Sequence, residues 1–166
     1  MILKEKILFS KKECQSIIFY GSNNITDWNT KDRKYDSQPI TYSLETKWLF
    51  DKLKTFFEEQ SNIHIKKNKE VIHFHKFIKG DWFGKHNDFR DSRVYAIGVL
   101  LNDSFEGGDF KLYNPNEIIL NRVIGNTYLF DVRIDHEITP ILEGERYSLL
   151  WFLENEHIKI ETNKLL

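Results

Sequence analysis

The sequence holds a single cysteine, Cys14. An internal disulfide is therefore impossible, and no cysteine cluster can hold zinc or an iron–sulfur centre. No apolar run approaches the roughly 20 residues of a membrane span. The opening Met1-Ile2-Leu3-Lys4-Glu5-Lys6 is too short and too charged to read as a signal peptide. Neither sign of charge is in excess: 24 Lys and Arg stand against 25 Asp and Glu, a formal net charge of -1. A general electrostatic grip on nucleic acid or anionic lipid is not expected from that balance. Together these absences predict a reducing, soluble, cytoplasmic protein with neither nucleic acid nor membrane among its partners. They leave its oligomeric state open.

What is present is bulky. Apolar residues make up 40% and aromatics 14%, with thirteen Phe, seven Tyr and four Trp against one Met. That is enough to bury a core, and 166 residues is the length of one domain. Ser10-Lys11-Lys12-Glu13 is a capping-box pattern. Cys14, Ile17 and Ile18 follow at helical spacing, and Gly21 sits where a left-handed C-terminal cap belongs, so a helix is expected over about 11–20. Residues 21–42 are polar and lack a steady period, which predicts a long loop, either a lid or a mobile surface segment. Ser43 is placed to cap a second helix over about 44–59, with Leu44, Trp48, Leu49, Leu53, Phe56 and Phe57 as its apolar stripe. Lys66-Lys67-Asn68-Lys69 reads as a solvated hairpin turn.

From residue 63 onward the pattern is strands. Val71 to Phe77, Val94 to Leu101, Phe110 to Tyr113, Thr127 to Phe130 and Tyr147 to Phe152 are the clearest. Gly107-Gly108, Asn114-Pro115-Asn116, Gly125-Asn126 and Glu143-Gly144 separate them as turns. Two helices followed by about eight short strands read as α+β, mainly β, in a single domain over 1–166. Helical support would occupy about 10–60 and a jelly roll or small barrel about 63–162. No repeat or low-complexity tract interrupts it.

Six histidines are scattered along the chain. The informative object is His86-Asn87-Asp88. On a strand, residues i and i+2 share a face, so an imidazole and a carboxylate would stand side by side. Two ligands leave a metal site incomplete, and His136, at the start of His136-Glu137-Ile138-Thr139-Pro140, is the best third. His, Asp and His on one face of an iron form the facial triad of non-haem Fe(II) oxygenases. Ten residues past His136, Arg146 and Ser148 share a strand face. A guanidinium fork with a hydroxyl inside a barrel suits a carboxylate; the plain alternative for Arg146 is a structural salt bridge.

Phe77-Ile78-Lys79-Gly80 leading into His86-Asn87-Asp88, Leu100-Leu101-Asn102 with Phe105 to Phe110, and Gly125 to Phe130 followed by His136, Pro140, Gly144 and Arg146 occur in a telling order. In that order and spacing the sequence resembles the prolyl 4-hydroxylase-like branch of the 2-oxoglutarate- and Fe(II)-dependent dioxygenases, over about half the chain. The resemblance implies a double-stranded β-helix (jelly roll) with two N-terminal helices packed on one side. It implies Fe(II) on His86, Asp88 and His136, 2-oxoglutarate held by Arg146 with Ser148, and O2 as oxidant. The implied reaction hydroxylates an unactivated C–H bond, in a prolyl or lysyl side chain of a peptide or protein, or else in a free amino acid or small metabolite. Related halogenases lack the carboxylate ligand. Asp88 is present, which favours hydroxylation.

Two departures from the family pattern stand out. Phe77 occupies the place where the family often has a tyrosine touching 2-oxoglutarate; His75 and Tyr128 are the candidates to replace its hydroxyl. Trp151 follows Arg146 by five residues where many relatives have six, and one residue flips a strand face. Trp151 is therefore expected outside the barrel. A cupin-like binding module without catalysis, or a family member that keeps the fold without turnover, are the rival readings.

Overall fold

The computed structural model describes residues 4–24, 26–30, 33–66 and 71–159. Ser10 opens the first helix with the reciprocal bonds of a capping box: Glu13 N donates to Ser10 Oγ at 3.1 Å, and Ser10 N donates to Glu13 Oε2 at 2.8 Å. This follows strand β1 (Lys4–Ile7) and begins α1 (Lys11–Gly21). Gly21 is not a left-handed cap. It stays in the helix, and Ser22 caps it with φ -78°. The glycine serves packing instead, since a Cβ there would lie 2.5 Å from the Phe74 ring.

The expected loop over 21–42 is instead largely sheet. Strands β2 (Thr26–Thr30) and β3 (Arg33–Thr41) pair as an antiparallel hairpin. Tertiary pairing overrides the weak local signal, because β3 lies between two further strands and takes its order from them. The second helix, α2 (Lys47–Ser61), starts three residues later than its sequence pattern suggests. The Ser43 and Thr46 hydroxyls bond each other at 3.1 Å, and Thr46 Oγ1 donates to Thr41 O at 2.7 Å. These groups hold a turn ahead of the helix. Leu44 consequently points to solvent, 96% exposed, while Leu49, Phe50, Leu53, Phe56 and Phe57 are buried.

The remaining strands are β4 (His64–Ile65), β5 (Val71–Phe77), β6 (Trp82–His86) and β7 (Arg93–Leu100). After them come β8 (Phe105–Gly107), β9 (Phe110–Tyr113), β10 (Glu117–Ile119) and β11 (Asn126–Asp131). The last are β12 (Asp135–Ile138), β13 (Ile141–Gly144), β14 (Arg146–Glu154) and β15 (Ile158–Lys159). Of the expected hairpin turn Lys66-Lys67-Asn68-Lys69, residues 67–69 lie outside the described residues. The described strand β4 pairs with β15, not β5.

One antiparallel sheet runs β1-β11-β7-β14-β5-β3-β6-β12-β9-β10, with β2 on the side of β3. It curls at β3, whose residues 36–41 pair with β5 while Arg33 and Lys34 pair with β6. A separate pair, β13 with β8, lies beside it. This mainly β architecture with a curled sheet and two helices is compatible with the expected jelly roll. Among the described residues no helix is long and apolar enough to cross a membrane.

Strand alternation sorts the buried residues into two cores. Ile72, Phe74, Ile97, Val99, Leu129, Leu149, Trp151 and Leu153 share one with Ile17, Phe50, Leu53 and Phe56 of the helices. Phe77, Ala96, Leu100, Phe110, Tyr128, Phe130 and Phe152 share the other, inside the curl. Trp151 lies outside the curl, as its spacing predicts. It is fully buried against the helices, edge-on to Phe50 with centroids 5.9 Å apart.

Candidate active site

His86 ends β6, and Asp88 lies just beyond that strand rather than on it. Asp88 N donates to Val132 O at 2.9 Å, and Asn87 Nδ2 donates to Asp135 Oδ1 at 3.1 Å. Both bonds tie this segment to the turn that leads into β12. His136 sits on β12 itself, directly opposite His86 in the β6–β12 register. The strands thus bring together residues fifty positions apart.

The three side chains form one cluster whose ligating atoms lie within 4.8 Å of one another. His136 Nε2 is 3.2 Å from Asp88 Oδ2, and His86 Nε2 is 3.5 Å from Asp88 Oδ1. The other ring nitrogens are already used. His86 Nδ1 donates to Gly84 O at 2.6 Å, and His136 Nδ1 donates to Ile134 O at 3.0 Å. Those bonds fix the orientation of each ring and leave both Nε2 atoms turned toward the Asp88 carboxylate. Rings hold the imidazoles in place: Phe83 stacks on His86 at 3.7 Å, and Phe130 meets His136 edge-on at 5.1 Å.

Burial pushes the Asp88 carboxyl up, yet the adjoining imidazoles of His136 and His86 outweigh it and hold the group well below the usual carboxylate range. His86 Nε2 and Asp88 Oδ2 are buried without a hydrogen bond of good geometry. Close approach without aligned hydrogen bonds suits a donor set for a cation. Two nitrogens and one carboxylate oxygen fit a first-row divalent metal with open positions.

Arg146 and Ser148 lie deeper, at the start of β14 and on its inner face. Arg146 is 2% exposed; Nη1 donates to Ser148 Oγ at 2.7 Å, and Nε has no partner. Among the described residues no carboxylate forms an ion pair with it, and Asp109, which pairs with Arg122, acts on it only from further away, which weighs against the salt-bridge alternative. Burial pushes the guanidinium pKa down, and the Tyr128 hydroxyl beside it pushes back. A buried arginine with an unfilled donor is costly unless an anion completes it. Gly108, at φ +62°, lets the Gly107-Gly108 turn close over this end: a Cβ there would lie 2.4 Å from Ile141 Cδ1 and 3.3 Å from Arg146 Cδ.

Of the two residues that could replace a hydroxyl at Phe77, Tyr128 is the one beside Arg146. It is 4% exposed and faces Gly98 across β11 and β7. A Cβ on Gly98 would lie 2.1 Å from the phenol ring, so the glycine makes room for it. His75 instead lines the cleft at the His86–Asp88–His136 cluster, with its ring 4.8 Å from Tyr35.

That cleft holds about 280 Å³ and opens over His86 and Asp88. Tyr35 forms part of its wall, stacked on Phe77 at 4.7 Å. Tyr35 lies within the stretch expected to be loop. The only signal for it was a faint alternation, Tyr35 and Ser37 against Gln38 and Ile40. A larger groove of about 670 Å³ between α1 and α2 is lined by Ile17, Phe19, Trp48 and Leu49 and contains none of the cluster residues.

No protein-family model matches the sequence, and no curated protein does. Solved structures do match the fold. The viral collagen prolyl hydroxylase of Paramecium Bursaria Chlorella virus-1 aligns over 93% of this chain and 96% of its own, at TM-score 0.75 and 16% identity. A Trichoplax adhaerens prolyl hydroxylase, solved with a hypoxia inducible factor peptide fragment, aligns over 93% and 84% at TM-score 0.75 and 18% identity. An oxidoreductase of the 2OG-Fe(II) oxygenase family from Burkholderia pseudomallei aligns over 90% and 84% at TM-score 0.73 and 13% identity. The chain therefore has the fold of the 2-oxoglutarate Fe(II) oxygenases, prolyl hydroxylases among them.

Proposed function

We propose that this protein is a 2-oxoglutarate- and Fe(II)-dependent dioxygenase that hydroxylates an unactivated C–H bond, in a prolyl or lysyl side chain. The observation that carries this is the donor set: two imidazoles, each anchored through Nδ1, converge with one carboxylate. His86, Asp88 and His136 would hold Fe(II). When bound, Fe(II), 2-oxoglutarate and O2 supply an oxidation in which the keto acid becomes succinate and CO2 while the substrate C–H becomes C–OH.

The chain's own contribution is binding, orientation and exclusion of water. Arg146 and Ser148 take the distal carboxylate of 2-oxoglutarate, with the Tyr128 hydroxyl beside them. Phe77, Phe110 and Phe130 pack inside the curl, where their rings would help exclude water. With Asp88 supplying a carboxylate to the donor set, the metal would favour hydroxylation over halogenation. The prolyl assignment is supported by the prolyl hydroxylases among the fold's neighbours, one of them bound to a peptide.

The test is succinate formation and O2 uptake with Fe(II) and 2-oxoglutarate, screened against proline, lysine and short proline-containing peptides. Substrate-stimulated succinate that requires Fe(II) is the expected result. A protein that binds neither Fe(II) nor 2-oxoglutarate refutes the reading and leaves a cupin-like binding module.

A further inference from the structure

Arg93 begins β7 and lines the cleft beside the metal cluster. Its guanidinium lies flat on Phe152, 3.8 Å from the ring centroid. It is half-buried, and burial pushes its pKa down from the ordinary arginine range. Its backbone N donates to Arg90 O at 3.0 Å, but among the described residues its guanidinium makes no hydrogen bond and no carboxylate lies within ion-pair distance; Asp88 and Glu154 act on it only from further away. Arg90 lines the same wall, also without an ion pair. Asp88 is the only acid among the described residues lining this cleft, and it is already committed to the cation cluster.

A guanidinium stacked on an aromatic ring keeps its edge donors free and pointed. Half-removed from water and lacking a partner, it favours an anion over a neutral carbonyl. The cleft is also small. At about 280 Å³ it is at the lower end of small-molecule pockets and takes the end of a molecule, not a length of chain.

We infer that the substrate carries a free carboxylate close to the carbon that is hydroxylated, and that Arg93, helped by Arg90, receives it. This rests on the hydroxylase reading above and narrows it. The shared chemistry is an amino-acid carboxylate, supplied either by a free amino acid or by the C-terminal residue of a peptide. The internal residue of a longer chain offers no such group.

The test compares acids with their amides on the Mn(II)-loaded protein, with and without 2-oxoglutarate, by calorimetry. The probes are L-proline, L-lysine and glycyl-proline, each beside its carboxamide. At least one acid should bind ten times more tightly than its amide or better. Free proline or lysine binding alone assigns the free amino acid, and glycyl-proline binding alone assigns the peptide terminus. Arg93→Gln should erase the acid–amide ratio while leaving 2-oxoglutarate binding and thermal stability unchanged, and Arg93→Lys should restore part of it. Equal binding of acid and amide by the wild-type protein overturns the inference. So does an acid preference that survives in Arg93→Gln. Loss of 2-oxoglutarate binding in the wild-type protein would instead count against the oxygenase reading, and the acid–amide ratio still decides this one.

Discussion

The two faces of β14 do opposite work. Leu149, Trp151 and Leu153 turn toward the helices and join their apolar core. Arg146 and Ser148, one residue out of step, turn into the curl and bring a charge and a hydroxyl into a buried space. Period-two alternation lets one strand serve both ends. The outer face gains stability by removing apolar surface from water. The inner face gives some of that up, since burying a guanidinium with an open donor costs free energy until an anion fills it. Stability is therefore concentrated where the helices cover the sheet, and chemistry where they do not.

That contrast is breakable. The largest effect is expected on the inner side. Asp88→Ala should reduce substrate-coupled succinate formation to background while leaving the unfolding transition of the metal-free protein nearly in place, because Asp88 lies beyond β6 and fills no core. Coupled turnover at the wild-type rate in this variant would remove Asp88 from the site. On the outer side, Trp151→Ala should lower unfolding free energy by about 3–5 kcal/mol through the cavity it leaves, read from urea denaturation. A much smaller loss would mean that α2 settles into the space.

Arg146→Ala falls next. Removing one partner of a buried charge pair costs about 2–5 kcal/mol, so the 2-oxoglutarate requirement should rise by roughly 30-fold or more. Arg146→Lys should do less, and Fe(II) binding without the keto acid should hold steady. The smallest effect lies on the outer surface. The Lys52 ammonium bonds Glu13 at 2.8 Å and holds its carboxyl below the usual range. The pair is about one-third exposed, so it contributes only some tenths of a kcal/mol. A carboxyl with a depressed folded pKa stabilises above its unfolded pKa and loses that as pH falls through the folded value. Glu13→Gln should thus cost little at pH 7 and progressively less as pH falls through the folded pKa of Glu13, as measured by thermal melting.

Much of the inner face was legible in sequence because it rests on short-range rules. The Arg146/Ser148 pairing and the displacement of Trp151 follow from alternation alone. The convergence of His86 with His136 depends on the β6–β12 register, which the sequence suggests only through the spacing of its motifs. Asp88 shows the limit of the local rule. Its side chain reaches His86 because the backbone leaves the strand and binds Val132 O, not through i, i+2 alternation. The β2–β3 hairpin was illegible for a similar reason: its polar residues have no period of their own, and β5 and β6 impose their order from outside.

His86 and His136 face each other across two strands that meet only through a bulged register. A cation held by both, and by Asp88, would act as a clamp on that seam, so that the strands could not peel apart without releasing it. At 100 times its dissociation constant such a ligand adds about 2.7 kcal/mol to folding stability. The lifetime of this chain in a proteolytic environment would then track the supply of metal, so that scarcity removes the protein itself as well as its activity.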